Sequence, residues 1–223
     1  MRTALIIAAC ITSLSLHAQI WEFDLGGLAG SGLRGGNEPG VATPSPATGG
    51  ELHENFPTDF PSITYNVATR QLRVPIGWGS DNGYVDLTGT YSAWHIHGPV
   101  ASNPGDDVND YFTRNSPPLP YTFNVPQDQS TDGSRRTASI DQTFTLTDVM
   151  IGGNLYSVDQ QVADLKAGRW YINVHSTPTY GAGEIRGQLL YVIPEPQHYA
   201  ALAGVALLGF AGYRKFRKNA QPA

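Results

Sequence analysis

The chain has 223 residues and a formal net charge of −5, and it is rich in glycine and proline, with 25 and 16 residues. The negative charge is concentrated in residues 19–193, which contain 18 of the 19 acidic residues but nine of the 14 basic ones, a net charge of −9. This charge argues against nucleic acid or an anionic membrane surface as a partner of that segment. Because Cys10 is the only cysteine, residues 19–193 can contain no disulfide, zinc–thiolate site or cysteine nucleophile.

The first 18 residues have the pattern of a secretory signal peptide. Arg2 precedes an apolar run over residues 4–16, and the small residue Ala18 stands where a signal peptidase would cut. We therefore expect an exported chain that begins at Gln19. The alternative is a lipoprotein signal acylated at Cys10, which would leave a very short apolar region before the cysteine.

Residues 19–193 are predicted to form one domain. Short runs of alternating apolar and polar residues are separated by turn residues, which predicts an all-β fold, an antiparallel β-sandwich or barrel-like single domain. Only residues 158–167 have a helical pattern, and Gly168 follows as a suitable C-terminal cap. Residues 102–120 are expected to be a long loop, and the Gly- and Pro-rich residues 25–51 to be either a linker or an irregular edge strand. The predicted strands are residues 62–67, 71–78, 84–91, 94–97, 121–125, 139–147, 169–175 and 184–192.

Three histidines lie on predicted strands. In the strand "WHIH", period-two geometry places His95 and His97 on the face opposite Trp94 and Ile96. In "RWYINVH", His175 is likewise on the polar face. If these strands pack side by side, the three imidazoles form a cluster suited to zinc or copper. The alternative is the polar face of a half-solvated antiparallel sheet, with no ligand role.

The strand that contains His175 and the next one are expected to form a hairpin. The loop "STPTYGAG" between His175 and Glu184 contains proline and glycine, so the two strands can pair. Pairing would bring Glu184 or Arg186 close to His175 and supply a carboxylate beside the histidines. Glu184 and Arg186 would then be a structural cross-strand pair, or would fix the hairpin.

These stretches resemble the CHRD domain, a module first described in chordin and common in bacterial secreted proteins. The resemblance implies a β-sandwich-like extracellular module, structural roles for Asn173, Glu184 and Arg186, and no catalytic residue. Residues 38–50 resemble the opening of the family, and Ile172 replaces the usual valine. The residues that match its motifs are His95, Ile96, His97 and Gly98, then Tyr171, Asn173, Val174 and His175, and then Gly183, Glu184, Ile185, Arg186, Gly187 and Gln188.

The C-terminal residues 194–218 resemble the PEP-CTERM sorting signal of Gram-negative bacteria. The motif Pro194, Glu195 and Pro196 precedes an uncharged, mostly apolar run over residues 199–213, and four basic residues follow. We expect residues 199–213 to be a short transmembrane helix, although spans usually need about twenty residues. The basic end orients it with residues 19–193 outside the inner membrane. A surface-bound helix is the alternative, but the run has no polar face.

The two terminal signals imply export, anchoring in the inner membrane until an exosortase-type protease acts, and then a place at the cell surface or in the extracellular matrix. We expect a non-catalytic interaction or structural module, with extracellular polysaccharide or surface proteins as partners, no nucleic acid and no required cofactor. One alternative is a copper or zinc metalloprotein similar to superoxide dismutase, by fold-level analogy. The other is a carbohydrate-binding module that stacks sugars on Trp78, Tyr84, Tyr91 or Tyr111.

Overall fold

A computed structural model of the chain describes residues 19–52, 63–103, 105–192, 207–210 and 213. These residues belong to two compact units, divided between Tyr191 and Val192. In the second unit the described residues are Val192, which is irregular, and residues 207–210 and 213, which are helical. Within the described ranges, no helix has both the length and the apolar character needed to cross a membrane.

Three predictions lie outside the described residues. They are the signal peptide over residues 1–18, the Pro194–Pro196 motif, and most of the proposed transmembrane helix over residues 199–213.

The first unit consists mainly of strands. Its sheet carries the candidate site, and its helices are short. In the described part of this unit the strands and α-helices are, in chain order, β1 (Ile20–Gly26), β2 (Leu33–Arg34), β3 (Thr48–Glu51), β4 (Ile63–Asn66), β5 (Gln71–Trp78), β6 (Thr90–His97), α1 (Val108–Tyr111), β7 (Gln127–Asp128), β8 (Ala138–Thr145), β9 (Val149–Ile151), β10 (Asn154–Tyr156), α2 (Val158–Lys166), β11 (Tyr171–Thr177) and β12 (Ile185–Tyr191).

Ten of these strands form one antiparallel sheet, and β9 and β10 form a separate hairpin. Strand β5 pairs with β8 along one edge and with β4 and β3 in succession along the other. Strand β12 pairs in the same way with β11 on one edge and with β1 and β2 on the other. Since β1 pairs with β4 and β2 with β3, the sheet runs continuously from β8 to β6.

The short strand β7 pairs with the start of β8, and residues 119–125 bridge β8 and β6. The Leu119 amide donates to the carbonyl oxygen of Ile96 in β6, at 2.8 Å. The Trp94 indole donates to the Asn124 carbonyl, and the Asn124 amide donates to the Gln142 side chain in β8. The sheet therefore closes on itself through side chains and backbone, which confirms the predicted all-β, barrel-like fold.

The core follows the alternation in the sequence. Strand β8 alternates regularly between inward and outward residues, and its inward Ile140 and Phe144 belong to the core. Trp78, Trp94 and Trp170 are among the largest fully buried side chains. Because Trp78 lies in β5, Trp94 in β6 and Trp170 directly before β11, the tryptophans tie these three strands together through apolar burial.

Helix α2 confirms the helical prediction. The Ser157 side chain accepts from the Gln160 amide while the Gln160 side chain accepts from the Ser157 amide, a complete capping box. Gly168 follows the C-cap Ala167 with φ of +73°, a left-handed conformation that glycine adopts without strain.

Two predicted strands are wrong. Most of residues 84–91 is irregular, because their backbone groups bond to separate partners: Val85 exchanges bonds with Thr48, and the Leu87 amide donates to the Arg136 carbonyl. Residues 121–125 form the bridge described above rather than a strand. The prediction includes no strand at β1, β7, β9 or β10, and it allows only one irregular edge strand where β2 and β3 lie. The glycines of β3 hide its pattern, although Gly49 is needed where the Gly77 carbonyl comes within 2.6 Å of an added Cβ.

Candidate metal centre

Three adjacent strands, β6, β11 and β12, bring the predicted polar residues together. In their register, Asn173 lies between His95 and Arg186, and Tyr171 lies between His97 and Gln188. The core-facing side chains of the same strands include Trp94, Ile172 and Leu189. We call the opposite face of these three strands the polar face. It carries His95, His97, Tyr171, Asn173, His175, Arg186 and Gln188.

This polar face is buried rather than half-solvated. His97 and His175 are each 8% exposed, and Arg186 only 1%. Residues 111–119, which we call the covering segment, bond to the Arg186 side chain on β12 and to His97 on β6. The face is therefore buried where the alternative expected solvent, because a loop crosses it.

The three histidines form a cluster that could hold a metal ion. One ring nitrogen from each of His95, His97 and His175 lies within 4.8 Å of the other two. Nitrogens bound to one tetrahedral zinc ion at about 2.0–2.1 Å lie about 3.3–3.4 Å apart. Two ring nitrogens 4.8 Å apart would therefore approach each other by about 1.4 Å to share such an ion.

Backbone carbonyl oxygens fix the orientation of two of these rings. His97 Nδ1 lies 2.8 Å from the Ser116 oxygen, and His175 Nδ1 lies 3.1 Å from the Gly181 oxygen. A carbonyl oxygen only accepts, so both Nδ1 atoms carry the proton and both Nε2 atoms carry the unprotonated lone pair that a metal ion needs. This arrangement, a ligating histidine whose other nitrogen donates to a carbonyl, is the common one at metal sites.

His97 Nε2 is the atom that most needs a partner. It is buried, and no hydrogen-bond partner for it exists among the described residues. His95 Nδ1 lies 3.2 Å from His175 Nε2, so without metal the His95 ring donates this bond. A metal ion would replace that proton, and His95 is exposed enough for its other nitrogen to meet solvent.

The environment keeps all three imidazoles neutral at physiological pH. Burial lowers the pKa of His97 to about 4, against the smaller opposing effect of its bond to Ser116. Burial also lowers the pKa of His95 and, as the largest cause, that of His175. Neutral imidazole is the form that binds metal, so no histidine of the cluster has to lose its positive charge first. Only the His95 ring has to change tautomer, by moving its proton from Nδ1 to Nε2.

The carboxylate expected beside the histidines has another role. Glu184 Oε1 accepts from the Ser45 hydroxyl and from both the amide and the hydroxyl of Thr88. Glu184 therefore ties the loop before β3 and the residues before β6 to the hairpin. Within the described residues, the metal-ligating cluster contains histidines alone.

Asn173 and Arg186 have structural contacts. The Asn173 amide group packs against Gly183, where an added Cβ would lie 2.4 Å from Asn173 Nδ2. The Arg186 guanidinium donates to the Tyr111 and Arg114 carbonyl oxygens and to the Asn115 side chain. Neither contact is the predicted pairing of Glu184 with Arg186.

The prediction that aromatic side chains stack on sugars is wrong for three of its four residues. Trp78, Tyr91 and Tyr111 are buried, with exposures of 0%, 9% and 7%. Their faces are covered by protein and cannot receive a sugar ring. Tyr84 is half-buried and lines a shallow polar cleft beside Glu51, and its hydroxyl donates to the Glu51 carbonyl.

Sequence reasoning missed the carbonyl oxygens of Ser116 and Gly181. Both are backbone atoms in loops, so no side-chain pattern indicates them. The position of Tyr171 on the polar face was readable from alternation, but its stacking on His97 was not.

Comparison with known proteins agrees with the sequence motifs. The model of the CHRD domain family matches residues 30–189, which include the whole cluster and the covering segment. No curated protein and no solved structure matches the chain. The matched range is most of the sequence, and the chain belongs to the CHRD domain family.

Proposed function

We propose that this chain is an exported CHRD-domain protein whose domain binds one copper or zinc ion through His95, His97 and His175. The observation that supports this best is the pair of buried rings whose Nδ1 atoms are bonded to backbone carbonyls. Two imidazoles are thus held in the protonation state and orientation of ligands before any metal arrives. Burying His97 Nε2 without a partner is costly, and a metal ion would remove that cost.

Copper is the preferred ion in this proposal. Imidazole nitrogens suit both zinc and copper, and the affinity of a nitrogen site is highest for copper(II) among the divalent ions of the first transition row. The outer membrane and extracellular space are also oxidising compartments, where copper(II) persists. The proposal assigns a binding role and no reaction.

The cellular setting is proposed from the terminal segments. The pattern of residues 1–18 supports export, and the PEP motif, apolar run and basic end of residues 194–218 support anchoring and processing by an exosortase-type protease. The acidic domain would then act at the cell surface or in the matrix as an interaction or structural module. Extracellular polysaccharide and surface proteins are the partners that this setting suggests.

Metal content is the decisive measurement. The full chain, produced without a histidine tag, is incubated with copper(II) or zinc(II), separated from free metal and analysed by elemental mass spectrometry. We expect close to one copper per chain. The His95→Ala/His97→Ala double variant and His175→Ala should lose it.

Replacing a buried histidine can also impair folding. The half-exposed His95 is therefore the position at which loss of metal binding can be separated from loss of the fold. His95→Gln should keep the circular dichroism spectrum and yet lose more affinity than the roughly tenfold to hundredfold typical of an outer-partner loss. His53→Ala and His198→Ala, at histidines outside the described residues, should bind copper normally. A folded wild-type chain that binds neither metal, or a folded His95→Gln with unchanged affinity, would refute the proposal.

A further inference from the structure

The most unusual group behind the cluster is the Arg186 side chain. It is 1% exposed, and none of the ion pairs found in the described part of the chain involves it. Burying a guanidinium costs several kcal/mol unless its donors are satisfied, on the order given for buried ions. Its donors go to the Tyr111 and Arg114 carbonyls at 3.3 and 2.8 Å, to Asn115 Oδ1 at 2.9 Å and to Gln188 Oε1 at 3.2 Å.

Three of those four acceptors belong to the covering segment. Arg186 therefore holds this segment over the polar face from its β12 side. The next residue along, Ser116, has the carbonyl oxygen that accepts from His97 Nδ1. The part of the segment that Arg186 fixes is thus directly adjacent in the chain to the residue whose carbonyl orients a proposed ligand.

The β6 side of the segment is bonded independently. The Gly98 amide donates to the Pro117 carbonyl at 3.3 Å, and the Leu119 amide donates to the Ile96 carbonyl at 2.8 Å. These bonds fix the distance of the segment from β6 on both sides of His97. Arg186 sets the other end, so the position of the Ser116 carbonyl depends on both.

A second connection runs through an aromatic ring. The Arg186 guanidinium carbon lies 3.5 Å from the centre of the Tyr171 ring. The other side of Tyr171 stacks on the His97 ring, with centres 4.8 Å apart and planes 9° from parallel. Guanidinium, phenol and imidazole thus form one stack, and removing the first lets the other two shift.

We propose that Arg186 is a positioning residue of the metal centre: by fixing residues 111–115 and the Tyr171 ring, it orients His97 Nε2 towards the ion. This rests on the metal-binding function proposed above. The Nδ1 bond of a ligating histidine sets its tautomer, ring plane and basicity, and losing such an outer partner typically costs about tenfold to hundredfold in metal affinity.

The first test needs no metal. Nuclear magnetic resonance of the ¹⁵N-labelled, metal-free full chain reports the tautomer of the His97 ring. The wild type should show His97 protonated on Nδ1. Arg186→Lys keeps the positive charge but cannot reach the same acceptors or stack in the same way. It should give a mixture of tautomers at His97, with His175 still protonated on Nδ1.

The second test uses the copper-loaded chain. Arg186→Lys should bind copper(II) about tenfold to hundredfold more weakly and change the copper hyperfine splitting in its electron paramagnetic resonance spectrum. The matched control is Arg169→Lys, since Arg169 donates to the Val100 carbonyl and pairs with Asp164 and makes no bond to the covering segment. It should leave both readouts unchanged.

A milder variant covers the case in which Arg186→Lys fails to fold. Asn115 is exposed and supplies one acceptor to Arg186, so Asn115→Ala should fold and shift the His97 tautomer and the copper spectrum in the same direction. A wild type without copper would refute the proposed function itself. Unchanged tautomer and spectrum in a folded Arg186→Lys, or in Asn115→Ala if that variant alone folds, would overturn the positioning role.

Discussion

His97 and Tyr171 stack face to face, and both bond to the same carbonyl oxygen. Their ring centres are 4.8 Å apart, and the Ser116 oxygen accepts from His97 Nδ1 at 2.8 Å and from the Tyr171 hydroxyl at 3.1 Å. The Ser116 amide in turn donates to the Tyr171 hydroxyl at 3.1 Å. A single tyrosine thereby fixes both the backbone that orients a histidine and the face of its ring.

Replacing Tyr171 with phenylalanine separates these two effects. Tyr171→Phe keeps the stack but leaves the amide of the half-buried Ser116 without its acceptor, so the free energy of unfolding in urea should fall by about 1–3 kcal/mol. Copper should still bind. Tyr171→Leu removes the stack as well and should weaken copper binding.

Tyr180→Phe is the matched control for the hydroxyl, because Tyr180 also donates to a carbonyl, that of Thr43, from a half-buried position. Its loss of stability should be smaller. Equal losses of unfolding free energy in the two phenylalanine variants would mean that the bonds to Ser116 stabilise the fold no more than an ordinary half-buried hydrogen bond.

The lowered pKa of His97 predicts that the metal-free domain is destabilised by acid. The folded state holds this ring neutral with a pKa of about 4, whereas the unfolded chain protonates it near 6.5. The unfolded state therefore binds more protons between these values, and stability present above pH 6.5 is lost as pH falls towards 4. The loss is of order 3 kcal/mol, from about 1.4 kcal/mol per pKa unit.

His97→Phe, which retains an aromatic ring against Tyr171, should remove this part of the pH dependence. The measurement is urea unfolding of both chains at pH 7 and pH 4, with metal removed by a chelator. If the wild type and the variant lose the same free energy over this range, His97 is not the group that titrates.

Glu38 predicts the opposite dependence. Burial raises its pKa from 4.5 to about 7, against the lowering effect of Arg186. The folded state therefore binds the proton more tightly than the unfolded chain does. This contribution to stability is complete below pH 4.5, the pKa in the unfolded chain, and is lost as the pH rises to about 7. Glu38→Gln should therefore be more stable than the wild type at pH 8 and close to it at pH 4.5. Thermal unfolding at the two pH values tests this, and a difference that does not change with pH would contradict it.

The faces of the strands could be predicted from the sequence, but their partners could not. Alternation in "WHIH" and "RWYINVH" correctly places His95, His97 and His175 away from Trp94 and the core. Their convergence depends on β6 pairing directly with β11, with Asn173 opposite His95. Register is a long-range property that no local pattern contains.

The covering segment could not be predicted for a different reason. It bonds to Arg186 and His97 mainly through carbonyl oxygens, which every residue has. Alternating polar residues therefore suggested solvent where the structure has a loop. The long proline-containing stretch over residues 102–120 was the one available sign that chain was present to cover the face.

Gly98, directly after His97, offers a test of how closely this region is packed. Its φ is +154°, and an added Cβ would lie 2.5 Å from Cδ1 of the buried Trp170. Gly98→Ala must therefore move either the tryptophan or the end of β6, and should lower the free energy of unfolding by more than about 2 kcal/mol. Because the movement reaches His97, copper affinity should fall with stability.

Gly133 is the control that separates the effect of crowding at Gly98 from the effect of its positive φ. It also has a positive φ, +70°, but an added Cβ meets nothing within 4 Å among the described residues. Gly133→Ala should cost only the left-handed penalty of about 1–2 kcal/mol and leave copper binding intact. Urea unfolding and copper titration of both variants decide the matter. If Gly98→Ala destabilises no more than Gly133→Ala, the contact with Trp170 does not constrain the cluster.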